Sequence, residues 1–360
     1  MLKGIRVIDF SQYLPAPHTT LRLADLGAEV IKVESPTGDP SRAPSGKEDM
    51  GYVFLAQNRN KKSVALNLKE EADRDAALQL IASADIVIES YRPGVADRLG
   101  IGYEDALKVK KDIIYCSLSG YGGTEVMRHL GGHDLNYLAI SGLLSQLKDE
   151  NGRPIQPGTQ LADFIGGITA SEAILGALVN KERTGEPSYL DVSLTDSVLP
   201  LMSNHILIES LTGEQNGVAK LGGKHVCYFI YETKDGRYVS LGALELKFWR
   251  NFCYGLHKES WLTEHYSLAS DENPIFTEMK AVFASRTLDE WAQFSLEVDC
   301  CLAPILETAE VVKHPLFKSR QFIFNEEGVN YTSTRFTEEA QEFTRAPQLD
   351  QHANELKQTK

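Results

Sequence analysis

Two periodicities alternate along the first half of the chain. The compact apolar run IRVIDFS is followed by PAPHTTLRLADLGAEVIKVE, which predicts a helix, a stop at Gly27 and a second buried strand at Glu29–Glu34. The alternation continues through SVALNL, the helical EEADRDAALQLIASA, the strand DIVIES and the strand DIIYCSLSGYG. Strands separated by amphipathic helices predict a largely parallel sheet with helices against its faces. Downstream, FIGGITASEAILGALVNKERTGE predicts a helix rich in small residues that ends around Lys181, Arg183 and Gly185, and YLDVSLTDSVLPLMSNHILIESL predicts one more strand and a long helix.

The pattern then changes. Glycine and charge rise in TGEQNGVAKLGGK, which places a boundary near Gly213–Lys224. HVCYFIYETKDGRYVSLGAL predicts a β-hairpin turning at Lys234-Asp235-Gly236, and LELKFWRNFCYGL, PIFTEMKAVFASR and LDEWAQFSLEV predict helices. The pattern divides the chain into a large α/β domain over 1–212, a small α+β domain over 213–314, and a C-terminal segment over 315–360 of polar loops and a charged tail, which is expected to return to the large domain.

Composition narrows the function. The 360 residues are 42% hydrophobic and 24% charged, ordinary globular material. A formal net charge of −13 argues against a nucleic-acid or anionic-membrane surface while leaving room for a local basic patch. The cysteines Cys116, Cys227, Cys253, Cys300 and Cys301 are scattered and form no CxxC, so they read as reduced core thiols of a cytoplasmic protein. The N-terminus has no secretory pattern, and no apolar run reads as long enough to span a bilayer. There is no GxGxxG in the first turn and no GxxxxGK[ST], HExxH, GxSxG or zinc-ligand spacing. Dinucleotide, P-loop, zinc and serine-hydrolase chemistry lose their main support, and no metal is expected.

Candidate chemistry concentrates in Gly131–Gly176. His133 lies in a Gly-Gly-His-Asp turn, and Asp163 leads into the small-residue helix, giving two groups able to exchange protons near neutral pH. A position in a helix's first turn favours the ionised carboxylate, and a helix-capping role is the plain alternative for Asp163. QNRNKKS places Arg59, Lys61 and Lys62 just before a strand, reading first as a solvated loop and second as a seat for a phosphorylated ligand. Arg92 stands before a Pro-Gly turn at a strand's C-terminal end, where open α/β sheets bind ligands.

LADLGAEVIKVE, QNRNKKSVALNL, ESYRPGVADRLGIGYE, GGHDLNYLAISGLL, LADFIGG, ERTGEPSYLDVSL, YETKDGRYVSLGALELKFW and DCCLAPILETAEVVKHP together resemble the family III CoA-transferase superfamily. Within it they are most similar to the α-methylacyl-CoA racemase branch. The resemblance implies a large Rossmann-like parallel-sheet domain, a smaller α+β domain and an interlocked homodimer acting on acyl-CoA in fatty acid metabolism. It implies no cofactor apart from the CoA carried by the substrate. His133 and Asp163 would move the α-proton of a 2-methylacyl-CoA through an enolate, with Glu245 of one chain orienting the partner's His133. Arg59, Lys61, Lys62 and Arg92 would serve the CoA phosphates, Tyr137 would lie beside the thioester, and N–H groups at the Asp163 helix start would stabilise the enolate oxygen. The resemblance also admits a CoA transferase that forms an aspartyl-CoA thioester on Asp163, and a CoA-ester-binding homologue without catalysis. The chain departs from the family pattern at Pro15-Ala16-Pro17, at Ser35 and at Gln160, where the racemase branch has an asparagine.

Overall fold

The computed structural model describes residues 1–123, 126–149, 151–215, 217–334 and 343–356. They form two compact units, one made of Met1–Ser203 with Arg320–Lys360, the other of Asn204–Ser319.

The first unit is built on β1 (Arg6–Phe10), β2 (Glu29–Glu34), β3 (Lys61–Ala65), β4 (Ile86–Glu89), β5 (Ile114–Ser119) and β6 (Ser188–Ser193). These pair in parallel in the order β3-β2-β1-β4-β5-β6, the doubly wound arrangement expected from the strand-helix alternation. Its helices are α1 (Pro15–Asp25), α2 (Tyr52–Gln57), α3 (Glu71–Ala82), α4 (Val95–Arg98), α5 (Tyr103–Val109), α6 (Asp134–Ile140), α7 (Leu161–Thr184) and α8 (Leu194–Val198). Period-two alternation divides the strand side chains between two cores. Val7, Ile86, Ile88, Ile114 and Cys116 join residues of α1 and α7, whereas Ile8, Val87 and Tyr115 join residues of α3 and α5. The sheet is thus apolar on both faces, as a parallel sheet covered by helices must be.

Helix α7 is long and apolar enough, by length and composition, to cross a bilayer, which departs from the expectation that no run qualifies. It packs instead against α1, α6, α8, β5 and β6. Its small residues allow this. A Cβ on Gly167 would stand 2.6 Å from the Pro15 carbonyl oxygen, so only glycine admits α1 at this distance. Thr19 Oγ1 donates to the Gly167 carbonyl at 3.1 Å, and Arg22 Nε to Ser171 Oγ at 2.9 Å, tying the helices along one seam. After β6 the single long helix of the sequence reading is broken. α8 gives way to a 3₁₀ turn over Leu199–Met202 containing Pro200, and α9 (Ser203–Thr212) starts afresh.

The second unit holds β7 (Tyr228–Glu232), β8 (Tyr238–Gly242), α10 (Leu246–Gly255), α11 (Pro274–Phe283), α12 (Leu288–Glu297), β9 (Leu302–Pro304), α13 (Thr308–Val311) and α14 (Pro315–Ser319). The hairpin forms at the expected turn, and β9, which the sequence reading missed, adds a third antiparallel strand. Trp249, Trp261 and Trp291 are fully buried in its core, and Tyr231 stacks on Phe283 with centroids 4.1 Å apart.

In the first unit, the C-terminal segment contributes the hairpin β10 (Ile323–Glu326) and β11 (Val329–Thr332) and the short α15 (Ala353–Leu356). It covers the open edge of β3: Asp350 Oδ1 accepts the Ala65 N–H at 2.7 Å, and His352 Nδ1 the Ser63 N–H at 3.1 Å. Edge strands left bare invite pairing with other chains, and here side chains occupy the edge donors. The same segment closes over a buried ion pair. Arg59 Nη2 reaches Asp25 Oδ2 at 2.6 Å and the Thr332 carbonyl at 2.9 Å, and Thr334 Oγ1 donates to Asp25 at 2.8 Å.

Removing one partner of a buried pair leaves the other charge uncompensated. Asp25→Ala is expected to destabilise the first unit by about 3–5 kcal/mol. Urea unfolding followed by far-ultraviolet circular dichroism checks it, and an unshifted midpoint would refute the assignment.

Candidate active site

The chain leaves β5 at Ser119 and returns at α6, and the turn between them is shaped by Tyr137. A Cβ on Gly132 would lie 2.7 Å from Tyr137 Cε1 and 2.8 Å from the Tyr121 hydroxyl oxygen, so this glycine of the Gly-Gly-His-Asp turn is required by close packing. The Tyr137 hydroxyl donates to the Gly132 carbonyl at 2.6 Å, and its ring meets Tyr121 edge-on at 5.3 Å. Burial, reinforced by Asp163, pushes the Tyr137 phenol up to about 12. That clamp fixes the start of α6. His133 is its N-cap residue, solvent-exposed, with its N–H donated to Asn136 Oδ1 at 3.0 Å.

Asp163 sits in the first turn of α7. Its backbone N–H donates to Asp134 Oδ1 at 3.0 Å, so one of the N–H groups expected to face an enolate is already engaged. The next residue, Phe164, meets the His18 ring edge-on at 5.0 Å, and that imidazole bonds Gln57 Oε1 through Nδ1 at 2.9 Å. Burial raises the Asp163 carboxyl to about 7, with the nearby Asp134 charge acting in the same direction. The sequence reading had the helix terminus keeping Asp163 ionised; desolvation outweighs that effect.

His133 and Asp163 line one pocket of about 270 Å³, together with Asp134, Leu135, Gln156 and Gln160. A second, larger hollow of about 590 Å³ shares Leu135 and Gln156 with it and adds Ala139, Leu144 and Ile155. The pair of groups singled out from the sequence is therefore brought to one cavity with an apolar neighbour. Asp134 was passed over in the sequence, although an acid directly following a candidate histidine at a helix start was the available signal. Among the described residues no cluster of side chains could hold a metal ion.

The basic residues separate. Arg59 and Lys61 do not form the expected surface patch. Arg59 is committed to Asp25, and Lys61 Nζ reaches Asn58 Oδ1 at 2.8 Å, the Pro17 carbonyl at 2.9 Å and Asp9 Oδ2 at 3.3 Å in the interior. Lys62 is partly exposed but pairs with Glu29 at 2.8 Å and with Glu355. Arg92 differs: it is exposed, has no side-chain hydrogen bond or ion pair among the described residues, and its Nη2 lies 3.1 Å from where a Cβ on Gly131 would stand. Of the four, Arg92 is thus the side chain that lies beside the glycine turn and has no partner among the described residues. Glu245 belongs to the second unit, where it is the exposed N-cap residue of α10.

Comparison with known proteins identifies the family. The sequence model of CoA-transferase family III matches residues 2–353. The chain is 38% identical over 248 residues to the succinyl-CoA:glutarate CoA-transferase of Homo sapiens, an alignment covering 67% of this chain and 56% of that protein. The chain thus spans little more than half the length of that relative. It is 32% identical over 330 residues to the alpha-methylacyl-CoA racemase of Homo sapiens, covering 91% of this chain and 83% of that protein. A crystal structure of a CAIB/BAIF family protein from Brucella suis superposes with a TM-score of 0.84 at 26% identity, covering 99% and 98% of the two chains.

The raised proton affinity of Asp163 has a consequence for folding. Its folded value of about 7 lies above the ordinary 3.8, so its ionisation works against the folded state progressively as pH rises from about 4 through about 7. Asp163→Asn is therefore expected to be more stable than the parent above pH 7, by on the order of a few kcal/mol, with the gain gone below pH ~4. Denaturant unfolding across that range checks it; a gain independent of pH would contradict the assignment.

Proposed function

The chain belongs to CoA-transferase family III, and we propose that within this family it racemises a 2-methylacyl-CoA thioester at the α-carbon. One observation carries the reading: an acid whose proton affinity is raised to about 7 lines the same pocket as a histidine. Racemisation requires a proton to leave one face of the α-carbon and another to arrive on the opposite face, and a histidine and an acid of raised proton affinity in one pocket suit the two steps. Neutral His133 takes the α-proton of one enantiomer, and the electrons of the C–H bond move into the thioester carbonyl to give the enolate. Protonated Asp163 then delivers its proton to the other face. The opposite enantiomer runs the steps in reverse.

Other features support the same assignment. Leu135, Ala139, Leu144 and Ile155 offer an apolar wall beside the pocket for an acyl chain. Tyr137 is held under the turn that carries His133, and Arg92, which has no side-chain hydrogen bond or ion pair among the described residues, is the basic side chain we assign to CoA phosphate. We extend the proposal to an interlocked cytoplasmic homodimer in which Glu245 orients the partner's His133.

A second reading, CoA transfer through an aspartyl-CoA thioester on Asp163, draws on the similarity to succinyl-CoA:glutarate CoA-transferase. It needs Asp163 as an ionised nucleophile. Burial and the Asp134 charge both raise its proton affinity to about 7, which supports a group that donates in one direction and accepts in the other over one that must stay ionised.

In deuterated water a 2-methylacyl-CoA should acquire deuterium at the α-carbon, and His133→Ala should slow that exchange by on the order of 10²–10⁴-fold. No incorporation with any chain length, together with a hydroxylamine-sensitive adduct on Asp163, would replace the racemase by the transferase.

A further inference from the structure

One carboxylate in the pocket has no part in the reaction above. Asp134 is the first residue of α6, directly after His133, and it lines the same cavity. Its Oδ1 accepts the Asp163 N–H at 3.0 Å, across 29 positions of sequence. N–H groups in the first turn of a helix have no acceptor within the helix. Asp134 completes the start of α7 from outside, and does so from the helix that His133 caps. A single side chain thereby joins the element carrying one proton-transfer group to the element carrying the other.

We propose that Asp134 is a positioning residue for proton exchange at Asp163: its carboxylate holds the first turn of α7 against the start of α6, and its charge stands beside the Asp163 carboxyl. The effect on catalysis rests on the racemase reading; the hold on the first turn of α7 rests on the Asp163 N–H bond. Other ionisable groups face this region from the packed elements. His133 and Tyr137 lie on α6, with the Tyr137 hydroxyl given to the Gly132 carbonyl. On α1, burial keeps His18 neutral at about 4, and Arg22 bonds Ser171. Asp196 lies on α8. Of these and Asp134, the charge that shifts Asp163 is that of Asp134, in the same direction as burial.

The two roles of Asp134 separate by substitution. Asp134→Asn keeps an oxygen acceptor for the Asp163 N–H and removes the charge, whereas Asp134→Ala removes both. In the full-length protein the Asp163 carboxyl can be titrated by infrared difference spectroscopy, its band assigned by its loss in Asp163→Asn. With Asp134→Asn the titration is expected to move to lower pH by on the order of one unit. The limb of the kcat/KM profile for α-deuterium exchange should move with it. Asp134→Ala should in addition lower kcat at every pH by on the order of tenfold or more relative to Asp134→Asn, because misplacing a catalytic group costs rate.

An unmoved Asp163 titration in Asp134→Asn would overturn the charge role, and equal kcat in the two variants would overturn the positioning role. If Asp134→Ala loses its native circular dichroism, the retained fold and kcat of Asp134→Asn establish that the hydrogen bond holds the site together. Should the parent protein exchange no 2-methylacyl-CoA, the racemase reading falls, and the infrared titration still tests the action of Asp134 on Asp163.

Discussion

The close approach of α7 to α1 is the constraint from which the site follows. Gly167 lets α1 pass within contact of the α7 backbone, with Pro15, His18 and Thr19 filling the seam. In the first turn of α7 Asp163 is partly withdrawn from water, and Phe164 meets the His18 ring edge-on at 5.0 Å. Desolvation favours the neutral carboxyl. A run of small residues in the sequence thus becomes, through helix packing, an acid that holds its proton near neutral pH. A helix with larger residues on that face would stand further off and leave the same aspartate an ordinary exposed carboxylate.

The local parts of this chain were readable because each rests on a short-range rule. Strand alternation separates Val7 from Ile8 and Ile86 from Val87 between two cores, and the strand-helix order leads to a doubly wound sheet. His133 and Asp163 stood out because both carry proton chemistry at the starts of helices. The basic run QNRNKKS could not be read in this way. The partners that draw Arg59 inward are Asp25 and the Thr332 carbonyl, 34 and 273 positions away, and Asn60 takes a left-handed φ of 62° between Arg59 and Lys61. A cluster of charges gives its composition to the sequence; which side chains turn inward depends on where distant carboxylates arrive. The same holds for the C-terminal cover on β3, whose acceptors come from Asp350 and His352. The effect of Asp163's burial was hidden for a related reason, since the helix-terminus rule is local and desolvation is set by packing from α1 and α6.

One aspartate serves both chemistries that the family resemblance admits, so its residue type does not distinguish them. Its environment bears on the choice. A nucleophile that attacks a thioester must be ionised and gains from nearby positive charge. Around Asp163 the acting charge is negative, from Asp134, and the remaining effect is burial, so both favour the protonated acid. An acid that is half protonated near pH 7 suits a cycle in which the same group donates in one direction and accepts in the other. Arg92 lies by Gly131, next to the turn, and among the described residues it has no hydrogen bond or ion pair to a carboxylate. The guanidinium by the glycine turn and the acid at the head of α7 therefore stand in distinct charge environments within one unit, and the proposed chemistry draws on each for a different task.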